Sequence, residues 1–94
     1  MDNNVFEKAK KLNEYGVEFW TARDLYKILE YAEYRNFQPV IEKAKEAARN
    51  SGSVVHNHFV DIHEVVDIGS GARRNLDNVI LDRYACYLII CLLS

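Results

Sequence analysis

From Tyr84 to Leu93 every residue is apolar or aromatic, in a chain of only 94 residues. Asp82 stands ready to cap this run as a helix, and a helix that is apolar on every side has to be buried on every side. A domain of this size hides only about two-thirds of the surface its unfolded chain exposes, so little is left to cover such an element. Either the helix is the central core element or it packs against a second chain. Homodimerisation is therefore expected, with Tyr84, Tyr87, Leu88, Cys91 and Leu92 as its contacts. The stretch Leu88 to Leu93 falls far short of the roughly 20 residues needed to cross a bilayer, so no membrane span is expected.

Three helical patterns precede it. Val5, Phe6, Ala9 and Leu12 share a stripe, which predicts a helix from about Asn4 to Glu14. The same residues also support a short hairpin, with Lys10 to Leu12 pairing with Val17 to Trp20 through Asn13 to Gly16. Thr21 followed by Asp24 resembles a capping box, and Trp20 with Leu25 forms its hydrophobic staple. Leu25, Ile28, Leu29 and Ala32 continue from this cap as one face of a helix of about two and a half turns. Phe37, Val40, Ile41, Ala44 and Ala48 predict a third helix from near Asn36 to Arg49, stopped at Asn50-Ser51-Gly52. Pro39 fits in its first turn, so this helix should begin no earlier than about Arg35.

Beyond Gly52 the character changes. Val54 to Val60, Glu64 to Ile68 and Arg73 to Ile80 are extended runs around Gly69-Ser70-Gly71-Ala72, and read as a β-hairpin. The fold class is α+β: a small single domain with a helix–turn–helix-like pair, a wing-like hairpin and an apolar C-terminal helix.

Twelve Lys and Arg against fourteen Asp and Glu give a net charge of −2, which excludes a uniformly basic mode of nucleic-acid binding. Any DNA contact must use a local patch. The start of the third helix presents Arg35, Asn36 and Gln38, side chains suited to guanine and adenine edges, with Arg23 and Lys27 on the helix before it. Arg73 and Arg74 at the hairpin tip suit phosphate. Each element has a plainer reading, as paired core helices and a solvated loop. The six tyrosines and Trp20 would suit base stacking, but at helical spacing they read first as core or interface.

No catalytic constellation emerges. His56-Asn57-His58 invites comparison with HNH nucleases, but those enzymes gather their residues from separated positions; with Asp61 and His63 the group offers ligands for a transition metal, against the default of surface or half-buried histidines. Gly69-Ser70-Gly71 lacks the Gly-Lys-Ser/Thr ending of a phosphate loop. Cys86 and Cys91 lie five apart, on different faces of a helix, with no disulfide framework or zinc spacing, and an apolar setting should raise their thiol pKa values. No cofactor, no metal and no enzymatic activity are expected, in a reduced, cytoplasmic protein.

Phe19-Trp20-Thr21-Ala22-Arg23-Asp24-Leu25 and Leu29-Glu30-Tyr31-Ala32-Glu33-Tyr34-Arg35-Asn36-Phe37 resemble the N-terminal region of the DNA-damage-inducible protein D family. Lys43 to Ala47 with Asn50-Ser51-Gly52, Ile68 to Arg74, and Asp82 to Ile89 continue the resemblance in family order. More distantly the chain is similar to phage antirepressor and baculovirus BRO-type N-terminal domains. The resemblance implies an α+β module associated with DNA binding and induced when DNA is damaged; the apolar C-terminal helix supports a rival reading, a self-associating module that contacts recombination or repair proteins without touching DNA. Family members continue with a polar segment and a second region where this sequence ends in Ile90-Cys91-Leu92-Leu93-Ser94, so activities of that region do not carry over.

Overall fold

A computed structural model describes residues 3–93, with side chains from Val5 onward. Four helices surround a four-stranded antiparallel sheet of order β1-β2-β4-β3, the α+β class expected. At the N-terminus the two competing readings divide the segment. Helix α1 spans Asn3–Ala9, and β1 (Lys11–Leu12) then pairs with β2 (Glu18–Thr21) in the register Lys11↔Phe19 and Leu12↔Glu18. The helix stops short of Glu14 because Asn13 closes the turn, its Oδ1 accepting from Tyr15 N at 2.8 Å and Val17 N at 3.0 Å.

Thr21 ends β2 and caps α2 (Ala22–Ile28), its Oγ1 accepting from Asp24 N at 3.3 Å. Trp20 and Leu25, the staple residues, are both fully buried. The helix is shorter than its apolar pattern suggests. Glu30 takes φ +65° and Tyr31 N donates to Tyr26 O at 3.0 Å, closing the last turn before exposed Ala32 can join it.

Helix α3 runs Tyr34–Asn50, beginning one residue ahead of the limit set by Pro39. Pro39 therefore lies beyond the first turn and takes away the donor for the Arg35 carbonyl; both residues are exposed, which leaves that carbonyl open to solvent. Of the predicted stripe Phe37, Ile41, Ala44 and Ala48 are buried and Val40 half-buried, and Tyr34 joins the buried side. At the far end Gly52 adopts φ +84°, and Ser53 N reaches Ala48 O at 2.9 Å, the reversal that a side chain would strain.

A single 3₁₀ turn at Val55–Asn57 occupies part of the first run read as extended, and β3 (Phe59–Asp67) follows. It pairs with β4 (Arg73–Leu81) over nine residues, from Phe59↔Leu81 to Asp67↔Arg73. Phe59, Val79 and Leu81 on one face join Trp20 and the helices in the core. On the other face Phe19 and Ile80 are half-buried and Val60 is exposed, around a shallow groove of about 400 Å³.

Asp82 caps α4 (Arg83–Leu92), its Oδ1 accepting from Ala85 N at 2.8 Å. Complete burial of this helix does not follow. Ala85, Cys86 and Ile89 are sealed in the core, whereas Tyr87 is 52% exposed, Leu92 44%, and Cys91 is also exposed. One layer of partners covers one side. Burial pushes the Cys86 thiol up, as its apolar setting implies.

Arg83 at the start of α4 ties the ends of the chain together. Its Nε and Nη2 donate to both carboxylate oxygens of Glu18 at 2.7 and 2.9 Å, Nη2 also reaches Glu7 at 3.2 Å, and the guanidinium carbon lies 5.2 Å from the centre of the Trp20 ring. These hydrogen bonds raise the Arg83 pKa further and hold Glu18 below the usual carboxylate range. Among the described residues no helix is long and apolar enough to cross a membrane.

Candidate nucleic-acid interface

The hairpin is the one element that outruns its supports. β2 pairs with β4 only at Trp20↔Leu81 and Thr21↔Ile80, then turns into α2, while β3 and β4 continue side by side for seven further pairs. The inner backbone bonds can be placed from the two ends of this ladder. Asp82 N donates to His58 O at 3.2 Å and Ile68 N to Ala72 O at 3.1 Å, so the even-numbered residues of β3 bond to β4 and its odd-numbered residues point their backbone groups outward. On β4 the odd-numbered residues likewise point away from β3, toward β2 and α2.

Where β2 leaves, side chains replace it. Arg23 Nε donates to the outward carbonyl of Asp77 at 2.5 Å, and its guanidinium lies 4.1 Å from the centre of the Tyr34 ring. Buried Asn78 offers one oxygen to two backbone amides, Arg23 N at 3.1 Å and Val79 N at 2.9 Å. The sequence reading missed Asn78, although an Asn directly before Val79-Ile80-Leu81 is out of keeping with an apolar strand. Tyr34 was likewise not singled out. Burial raises its pKa, with Arg23 opposing, so its hydroxyl stays protonated.

The predicted contact residues fall into two groups. Arg23, Gln38 and the first turn of α3 lie at the root of the arm, where Tyr34, Gln38, Ile41 and Lys45 face Asp61, His63 and Asp77 across a cleft of about 410 Å³. Arg35 is exposed but paired with Glu33, and Asn36 is exposed. Lys27 is exposed, 6.0 Å from the centre of the Tyr26 ring. Arg73 and Arg74 form the second group, at the tip. Arg73 shares a face with Asp77 and lies about 13 Å farther along the strand. Asp67 stands opposite Arg73 in register, its Oδ1 accepting from Gly69 N at 3.0 Å, and the two form no ion pair. Among the described residues neither Arg73, Arg74 nor Lys27 forms an ion pair, whereas Lys10, Lys11, Arg35, Lys45 and Arg83 do.

The histidines are separated rather than gathered. His58 Nδ1 lies 2.5 Å from Asp82, His63 pairs with Asp77 at 2.9 Å, and His56 is exposed on the 3₁₀ turn. Among the described residues no three His, Cys, Asp or Glu side chains are placed to hold a metal. On α4, Tyr87, Cys91 and Leu92 are exposed, while Tyr84 and Leu88 are half-buried. The Tyr84 hydroxyl accepts from Ser53 Oγ at 3.2 Å, and its ring packs on His58 at 4.7 Å.

Residues 8–93 match the N-terminal domain of the BRO family. The chain belongs to that family. This BRO domain is also 51% identical, over 85 residues, to the protein of Escherichia coli (strain K12) called DNA damage-inducible protein D. The matched region is 90% of the present chain and 31% of that relative, so the chain spans about a third of its length. No solved structure matches this chain.

Proposed function

We propose that this BRO domain is a non-catalytic DNA-binding regulator of DNA transactions in a damage response. The observation that carries the reading is the pair Arg73 and Arg74, unpaired among the described residues at the end of a projecting arm in an otherwise acidic chain. Guanidinium groups held this way can reach phosphate oxygens without first breaking an internal ion pair. Asn36 and Gln38, exposed at the start of α3, supply amides for base edges, and Lys27 adds a further cation. Arg23 serves the fold as much as any ligand, because Asp77 and Tyr34 hold it. The name of the E. coli relative supports the damage-response setting.

Anisotropy titrations with duplex and single-stranded oligonucleotides at low salt test this. Binding is expected, and changing both Arg73 and Arg74 to Ala should weaken it at least about tenfold and lessen the slope of log K against log salt by roughly two. Failure of both nucleic acids to bind, or a double variant with unchanged affinity, overturns the reading.

The exposed outer side of α4 favours a second reading, a homodimeric module that meets recombination or repair proteins without touching DNA. Tyr87, Cys91 and Leu92 would form the contact, with half-buried Tyr84 and Leu88 at its margin. Sedimentation over a range of concentrations should then show a dimer that Leu92→Asp dissociates. A monomer at every concentration rules the dimer out.

A further inference from the structure

The outer edge of β3 is open. Phe59, Asp61, His63, Val65 and Asp67 direct their backbone N–H and C=O groups away from β4, and β3 is the last strand of the sheet. Among the described residues no other backbone group bonds to these positions. Natural edge strands are commonly guarded by proline, charged side chains, a bulge or a covering element, and the only charges on β3 are acidic, which guard it against another acidic strand but not against a cationic one. β3 has no proline and no lysine, and its register with β4 is unbroken over nine residues.

The strand also has a definite charge. It carries Asp61, Glu64 and Asp67 and no Lys or Arg. Lys45 on α3 lies 3.3 Å from Asp61, but the same ammonium is shared with Glu42 at 3.3 Å, which leaves that group net negative. Glu64 meets only the amide of Asn78, at 3.5 Å, and Asp67 the backbone of Gly69. Apart from these carboxylates and exposed His63 the strand is apolar: Val60 and Val65 are exposed, and Ile62 and Val66 half-buried.

We propose that this edge docks an extended segment of a partner protein in which Lys or Arg alternates with β-branched residues, so that the segment adds to the sheet as a fifth strand. Main-chain bonds from the outward groups of β3 provide the affinity; Asp61 and Asp67, which share one face of the strand, select the cationic residues, and Val60, Ile62 and Val66 on the other face receive the β-branched ones. A second copy is a poorer occupant, because self-pairing would bring two strands of three carboxylates each into one sheet with no strand cation between them. The arginine pair proposed for phosphate is on β4, so the two activities occupy different strands of one arm and can be separated.

The probe is a fluorescein-labelled seven-residue peptide of alternating Lys and Val, titrated against the full chain and followed by anisotropy and by amide hydrogen exchange. Saturable, salt-sensitive binding is expected. On binding, the amides of Asp61, His63 and Val65 should gain protection, while those of Ile62, Glu64 and Val66, already bonded to β4, should not change. Val65→Pro removes an outward N–H without touching the β4 ladder and should weaken binding at least about tenfold. The same peptide N-methylated on the amides that face β3 should fail to bind, a test that needs no variant to fold. Asp61→Asn with Asp67→Asn, which keeps the side-chain oxygen that Gly69 N uses, should weaken binding and reduce its dependence on salt, while Arg73→Ala with Arg74→Ala should not weaken it. Absence of binding, binding without protection of the outward amides, or full binding of the N-methylated peptide overturns the proposal. Protection that rises with protein concentration and no peptide would identify a second copy as the occupant and overturn it equally.

Discussion

Trp20→Ala should lower the stability of this domain by about 3–5 kcal/mol, the range for truncating a large buried aromatic. Trp20 has no exposed surface, its ring stacks on Phe6 with centroids 4.5 Å apart, and its Nε1 donates to the Phe6 carbonyl at 3.0 Å. Removing it opens a cavity beneath α1, orphans a carbonyl and takes away the surface over which Arg83 lies. Domains of this kind have only about 5–15 kcal/mol of total stability, so the variant should be close to unfolded at 37 °C. Its melting temperature should fall by about 15 °C or more. Trp20→Phe keeps the stacking and loses the hydrogen bond, so its deficit should be about 1–2 kcal/mol plus the smaller ring's lost contact. Thermal and urea unfolding followed by circular dichroism would check both, since the only tryptophan of the chain is the residue being changed. A shift of a degree or two for Trp20→Ala would mean that the ring is not the keystone described.

Asn78→Leu should cost about 2–4 kcal/mol, although Leu is the more apolar side chain for a strand with Val79, Ile80 and Leu81 next in line. One amide oxygen satisfies Arg23 N and Val79 N at the point where β2 gives way to α2, and a leucine there leaves two backbone donors, Val79 buried and Arg23 half-buried, without that acceptor. Asn78→Asp keeps the acceptor and should lose less, with a residual penalty from placing a second carboxylate near Glu64. Hydrogen exchange at Arg23 and Val79 gives the local signature: both amides should speed up in Asn78→Leu by more than global unfolding accounts for, and stay slow in Asn78→Asp. Equal stability of the Leu variant and the native chain would show that the oxygen is dispensable.

These two positions also shape the proposed interface. Asn78 and Arg23 replace the missing ladder beside the root of the arm, so that β4, paired with β3 on one side only, can carry Arg73 and Arg74 beyond the end of β2. The arm then presents guanidinium groups from β4 and carboxylates from β3. A chain of net charge −2 can in this way offer phosphate a local positive site.

Thr21 and Asp82 as caps, the Gly52 stop, the staple of Trp20 with Leu25 and the Gly69–Gly71 tip are all legible from residues three to five apart, because the groups that bond there are neighbours in the chain. The division of the N-terminal segment between α1 and β1 is not, since helix and strand patterns overlap there and only pairing with β2 decides between them. Nor does periodicity show that α4 is half-covered: its apolar residues surround the axis, and which side meets Ala44, Ala48 and Leu81 depends on where a single layer of partners stands. Arg73 and Arg74 were visible as a basic tip. That neither forms an ion pair among the described residues, the capture of Arg23 by Asp77 and Tyr34, and the outward backbone of β3 follow from register and from contacts across more than ten residues of chain. Local sequence determined which groups could be capped, turned and buried; the tertiary structure decided which of them remain unpaired, because an ion pair or a strand partner is a property of two distant segments brought together.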